Sequence, residues 1–105
     1  MAQSLLMLIK RTVEFIEWFE SLTIKEQAQV DARIERIEQH DHFGDARDLG
    51  EALAELRWKN GRRVYFTRVT MLDGSILLLI LGGWKNAQKK DIKQARLLIR
   101  KYAGN

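Results

Sequence analysis

Arg57 and Arg63 stand on either side of a short Lys59-Asn60-Gly61 turn, within segments whose polar and apolar residues alternate with the period of a β-strand. In "ALAELRWK", Ala54, Leu56 and Trp58 point one way, and Glu55, Arg57 and Lys59 the other. In "RRVYFTRV", Val64 and Phe66 share one face, and Arg63, Tyr65 and Thr67 lie on the opposite one. A two-residue Asn60-Gly61 turn would set Arg57 opposite Val64 and mix the faces. A three-residue loop with Gly61 in the left-handed position pairs Leu56 with Val64 and Ala54 with Phe66, which keeps the core face apolar. That register sets Arg57 opposite Arg63 and Glu55 opposite Tyr65.

Facing arginines repel each other across strands. Either each pairs with Glu55 or another carboxylate, or an anion normally lies between them. Guanidinium forks match phosphate oxygens bidentately, so the second alternative points to phosphate binding. On the phosphate reading, removing either arginine would abolish function and leave the fold intact or slightly more stable.

A second cluster of cations sits in "LGGWKNAQKKDI", residues 81–92. Lys85, Lys89 and Lys90 crowd the start of the last helix, where positive charge meets the positive end of the helix dipole. Asn86 can cap that helix, and its free N–H groups make an anion site. Trp84 has two readings. It either stacks on a nucleobase near Lys85 or fills the end of the core under the helix.

The elements that must position these residues follow from patterning. "LLMLIKR", residues 5–11, reads as a buried strand. Thr12 caps a helix with Phe15, Ile16, Phe19 and Leu22 on one stripe. "TIKE", Thr23 to Glu26, has the capping-box pattern and opens a second helix with Val30, Ile34 and Ile37 on one face, ending near His40. "DHFGDARDLG" is turn-rich. "SILLLILGG" is a continuous apolar run, as in a strand covered on both faces. The last helix, about residues 87–102, presents Ile92, Ala95, Ile99 and Tyr102 at helical spacing.

The 105 residues suit one α+β domain, 1–105, with a single packed core. The absence of cysteine excludes disulfides and thiolate zinc sites and fits a reducing compartment. The apolar stretch Leu5 to Ile9 is too short for a membrane span, and Lys10 and Arg11 follow it rather than precede it, so a cytoplasmic protein is expected. His40 and His42 lie in a loop without further ligands, and neither a metal nor another cofactor is expected.

Charge is unevenly placed. Residues 1–52 carry six Lys/Arg against eleven Asp/Glu, and residues 53–105 carry twelve against three, within a net charge of +4. The imbalance points to an anion-binding surface built by the second half.

In order along the chain, "FGD", "LGE", "ELR", "RVYF", "LGG", a lysine, a glutamine and "DI" resemble the RelE/ParE toxin superfamily, and within it the HigB-like, phage-derived addiction module killer branch. The resemblance runs from about Leu5 to Tyr102. It implies a strand, two helices, an antiparallel sheet of three further strands and a closing helix. It also implies the toxin of a type II toxin–antitoxin system, cytoplasmic, restrained by a cognate antitoxin of helix-turn-helix type. Many such toxins are mRNA interferases, metal-independent endoribonucleases that act on the ribosome, whereas the ParE branch inhibits DNA gyrase.

The motifs carry Arg57, Arg63, Lys85 and Gln88 onto the family's site. This chain departs from the family in its "KNG" loop, in Arg62 where a tyrosine is usual, and in Trp84 where an acid is usual. The chemistry implied is attack of a ribose 2′-hydroxyl on the adjacent phosphate. Arg57 and Arg63 would stabilise the developing charge. Lys85 or Tyr65 would move protons, with Glu55 a further acid/base candidate. Lys59, Arg62, Trp84, Gln88, Lys89 and Lys90 would complete the RNA-binding surface. The expected partners are the antitoxin, mRNA and the ribosome, or DNA gyrase in the alternative reading, and no membrane. An inactive nucleic-acid- or antitoxin-binding remnant is the third reading.

Overall fold

The computed structural model describes residues 6–72 and 74–102; Leu5, expected in the first strand, lies outside them. The chain forms β1 (Leu6–Arg11), α1 (Val13–Glu20), α2 (Ile24–His40), β2 (Ala46–Gly50), β3 (Leu53–Arg57), β4 (Arg62–Met71), β5 (Gly74–Trp84), a 3₁₀ turn (Lys85–Ala87) and α3 (Gln88–Tyr102). Five strands make one sheet in the order β1-β5-β4-β3-β2. β1 runs parallel to β5, and the other neighbours are antiparallel. This is the expected α+β architecture with one more strand.

The extra strand is β2, which occupies part of the segment read as turns. It is an edge strand whose residues are nearly all exposed, so no apolar alternation marks it. Gly50 (φ 86°) and the left-handed Glu51 and Ala52 turn the chain straight back into β3. The helix starts are as the sequence dictates. Thr12 Oγ1 accepts from the Phe15 N–H and donates to the Ile80 carbonyl at 2.6 Å, which anchors the start of α1 on β5. Thr23 and Glu26 form the reciprocal capping box of α2.

The sheet is covered on both faces. Period-two alternation sends Leu56, Val64, Phe66, Leu77 and Leu79 to one face, where Phe15 of α1 and Val30, Ile34 and Ile37 of α2 complete a core. It sends Leu53, Tyr65 and Ile80 to the other, under Ala95 and Leu98 of α3. Two expected core members differ. Ile16 is 41% exposed and Tyr102 is 39% exposed. Tyr102 instead donates a 2.7 Å hydrogen bond to Glu14 at the start of α1.

The adjacent glycines of β5 serve these two faces separately. A Cβ on Gly82 would overlap the Trp18 ring of α1, and a Cβ on Gly83 would overlap the Asp91 carboxylate of α3. The strand does not end at the glycines. It continues to Trp84, because helices press on it from above and below and only residues without side chains admit both.

Candidate functional site

The β3–β4 hairpin has the register its pattern demands: Leu56 faces Val64, Ala54 faces Phe66, Glu55 faces Tyr65, and Arg57 faces Arg63. The loop is Lys59-Asn60-Gly61, closed by bonds from Trp58 N–H to Arg62 O and from Gly61 N–H to Trp58 O, both 3.0 Å. Gly61 has φ 101°, where a side chain would be strained.

Glu55 lies fully buried between the two arginines. Its carboxylate is 3.9 Å from Arg57 Nε and 4.0 Å from Arg63 Nε, and the arginine side chains are 37% and 7% exposed. The pairing of each arginine with Glu55 is therefore real, but both contacts are longer than a hydrogen bond. Arg57 Nε, Arg63 Nε, Glu55 Oε2 and Tyr65 Oη have no hydrogen-bond partner among the described residues. Arg63 donates instead to the carbonyls of Arg62 (3.0 Å) and Trp58 (3.3 Å), across the hairpin turn. Arg57 is thus the guanidinium that faces solvent, and Arg63 is a buried cation beneath it.

The first residue of α3 closes the site from the side. Gln88 Nε2 donates to Glu55 Oε1 at 2.7 Å. Asp91, one helical turn further, lies against Gly83. Burial holds its carboxyl above the ordinary range, opposed by Lys90. Asp91 escaped the sequence reading, since nothing but the bare backbone of Gly83 allows it so close to the sheet. A glycine opposite an acid in the next helix was the available signal.

Tyr65 and Glu55, the acid/base candidates beside the arginines, are both fully buried. Burial foremost, then the Glu55 and Asp91 carboxylates, push the Tyr65 hydroxyl far above its ordinary range, with Arg63 opposing. Tyr65 belongs to the core under α3, so it does not meet a ligand at the surface.

Lys85 leaves the sheet beside the hairpin tip. Its N–H donates to Gly61 O at 2.7 Å, and its side chain packs along Gly61. Lys85, Asn86, Gln88, Lys89 and Lys90 line an open cleft of about 480 Å³. Asn86 falls inside the 3₁₀ turn and does not cap the helix; the cap position of that turn is Trp84, which offers no side-chain bond.

Two expected RNA-binding residues sit elsewhere. Arg62 is 1% exposed and faces α2, donating to Glu26 (3.2 Å) and Gln29 (3.1 Å). Strand parity is the reason, for Arg62 must share the face of Val64, not that of Arg63. Trp84 pairs with Arg62 in the sheet and lies on that same face, its ring centroid 5.4 Å from the Arg62 guanidinium. At 38% exposed it neither fills the core nor neighbours Arg57.

The structure therefore gathers Arg57, Arg63, Glu55, Tyr65 and Gln88 on the α3 side of the hairpin. Lys85 and Lys59 flank its tip, Lys89 and Lys90 stand exposed at the helix start, and Arg62 and Trp84 are on the other side. Among the described residues, no helix is long and apolar enough to cross a membrane.

An uncharacterized protein of Haemophilus influenzae is 39% identical to this chain over 93 residues, covering 86% of this chain and 90% of that one. No family model matches the chain. The free-state structure of a double arginine-to-alanine variant of the Escherichia coli toxin RelE superposes with a TM-score of 0.65 at 8% identity, covering 90% of this chain and 95% of that one. The chain thus has the RelE fold, and it belongs to one family with the Haemophilus influenzae protein.

Proposed function

We propose that this protein is the toxin of a type II toxin–antitoxin pair, of the HigB-like branch, and that it cleaves messenger RNA presented by the ribosome. The observation that carries the reading is the solvent-facing Arg57, set opposite Arg63 with Lys85 beside the same hairpin tip. Likeness of fold to a protein described as a toxin supports it.

In the reaction, the ribose O2′ bonds to phosphorus as the P–O5′ bond breaks, leaving a 2′,3′-cyclic phosphate and a 5′-hydroxyl. Arg57 takes the developing phosphorane charge, strengthened by the buried Arg63 cation beneath it. The Lys85 ammonium hands a proton to the departing O5′. Glu55 and Tyr65 are too buried to accept the 2′-hydroxyl proton, so that proton passes to water. Such a site works by charge stabilisation and positioning rather than by a strong base. The antitoxin is the partner that covers this basic face, and an acidic segment is the chemistry that fits it.

Expression in growing cells tests the reading. Primer extension on transcripts should show new 5′ ends within translated regions, lost in Arg57→Ala with the protein still folded. Growth arrest that persists in Arg57→Ala, with plasmid supercoiling altered and transcripts intact, would overturn it in favour of gyrase inhibition.

A further inference from the structure

On the α2 side of the hairpin tip lies a second groove, about 500 Å³, lined by Gln29, Arg33, Arg36, Trp58, Lys59 and Asn60. We propose that it holds single-stranded RNA flanking the scissile phosphate, as the far end of a cationic track that begins at Lys85 and passes over the hairpin loop. This rests on the ribonuclease reading and extends its substrate contact to a second subsite.

Four observations carry it. First, the groove is lined by three cations and no acid. Arg36 and Lys59 are exposed, and neither they nor Arg33 forms an ion pair among the described residues. Second, α2 sorts its charges. At helical spacing Gln29, Arg33 and Arg36 share one face, while Asp31, Glu35 and Glu38 fall on the opposite one. The helix is acidic in sum, yet beyond Glu26, which Arg62 pairs, it turns a basic stripe to the hairpin.

Third, the groove is built rather than incidental. Arg33 is held by the carbonyls of Arg57 (2.5 Å), Phe43 (3.0 Å) and Asp45 (2.6 Å) and lies 4.4 Å over the Trp58 ring. These acceptors are carbonyls, and the Asp45 carboxylate that acts on Arg33 lies outside the groove's lining. Trp58, packed partly on the core, backs the Arg33 guanidinium, whose plane is a surface on which an unpaired base stacks without regard to sequence. Fourth, the groove joins the site. The Lys59-Asn60-Gly61 loop has Lys85 packed on Gly61 on one flank and Arg36 sharing the groove with Lys59 on the other. Arg57 links the two sides, its guanidinium open on one and its carbonyl holding Arg33 on the other.

The test uses the full chain and fluorescent 2′-O-methyl oligoribonucleotides, which the proposed chemistry cannot cut. Binding of a trinucleotide and a dodecanucleotide is followed by anisotropy between about 50 and 200 mM salt, where each phosphate contact to a single strand contributes about 0.7 to the slope of log K against log salt. The Arg36→Ala/Lys59→Ala double variant should bind the dodecanucleotide more weakly, with a slope smaller by about 1.4. Its affinity for the trinucleotide should fall less than its affinity for the dodecanucleotide, whereas Arg57→Ala should weaken both ligands alike. Circular dichroism confirms the fold of each variant.

If the double variant binds both lengths as the wild type does, with the same slope, the track is overturned while the Arg57 site stands. If the wild type binds neither length, the track is overturned, and the primer-extension result alone decides the ribosome-dependent reading. If the double variant loses affinity for polyglutamate but keeps its RNA affinity, the groove is a protein-docking surface and the proposal is overturned.

Discussion

The Gln88 side-chain amide donates a 2.7 Å hydrogen bond to the buried Glu55 carboxylate, which joins the first residue of α3 to the middle of β3. Glu55 in turn stands between Arg57 and Arg63. Helix start, acid and both arginines therefore form one electrostatic unit. The placement of α3 and the arrangement of these charges depend on each other.

Gln88→Ala should expose that dependence. The variant removes the one side-chain hydrogen bond that the Glu55 carboxylate accepts among the described residues and should cost about 1.5–3 kcal/mol, the range for bonds to a charged group. Urea unfolding would measure it. Gln88→Glu should be worse, since it sets a second carboxylate against the first. A Gln88→Glu protein as stable as wild type would mean that the helix start does not hold Glu55.

Arg63→Ala should be strongly destabilising, contrary to what repulsion between facing arginines alone predicts. The substitution strips the Trp58 and Arg62 carbonyls of a donor and takes away a buried countercharge of Glu55. Breaking a buried ion pair from one side costs about 3–5 kcal/mol. Arg57 is more than a third exposed, so Arg57→Ala should cost about 1 kcal/mol or less, in the manner of surface pairs. A denaturation midpoint lowered more by Arg57→Ala than by Arg63→Ala would contradict this division of roles.

Gly82→Ala and Gly83→Ala separate the two faces of β5. The Gly82 methyl would meet the fused ring of Trp18, wedged between α1 and the sheet, and should cost the ~1–3 kcal/mol typical of overpacking. The Gly83 methyl would meet the end of the Asp91 side chain, which can swing aside, so its cost should be smaller. Trp18→Leu should recover part of the Gly82→Ala loss and none of the Gly83→Ala loss. A double-mutant cycle reads this directly.

How much of this was legible in the chain depends on burial. The hairpin register, down to Arg57 opposite Arg63, was readable because a one-residue slip would have turned Leu56 and Val64 out of the core. Both helix caps were readable because each is a local hydroxyl–backbone bond. β2 was not, because an exposed edge strand carries no apolar rhythm. Arg62 was misplaced although parity alone puts it with Val64; its basic character outweighed its position. The role of Gly82 and Gly83 needed the tertiary structure, since nothing local announces that helices approach from both sides. Trp84 and Asp91 were lost with it.

The pH dependence of stability should show Asp91. Burial holds its folded-state pKa above the ordinary 3.8, so the native protein keeps this proton longer than the unfolded chain does. The stability this group supplies is fully present below that ordinary value and is lost as pH rises through the folded one. Asn in its place stays neutral at every pH. Asp91→Asn should therefore be more stable than wild type at neutral pH, and its profile should be flatter above the ordinary carboxylate range. The neighbouring Tyr65 supplies an independent readout. The Asp91 charge is one of the causes of its raised pKa, so ultraviolet titration of Asp91→Asn should show that tyrosine ionising at lower pH. Urea unfolding across the pH range gives the first result. An Asp91→Asn protein less stable than wild type at neutral pH would mean that the carboxylate is held there by a charge partner, and that burial does not govern its state.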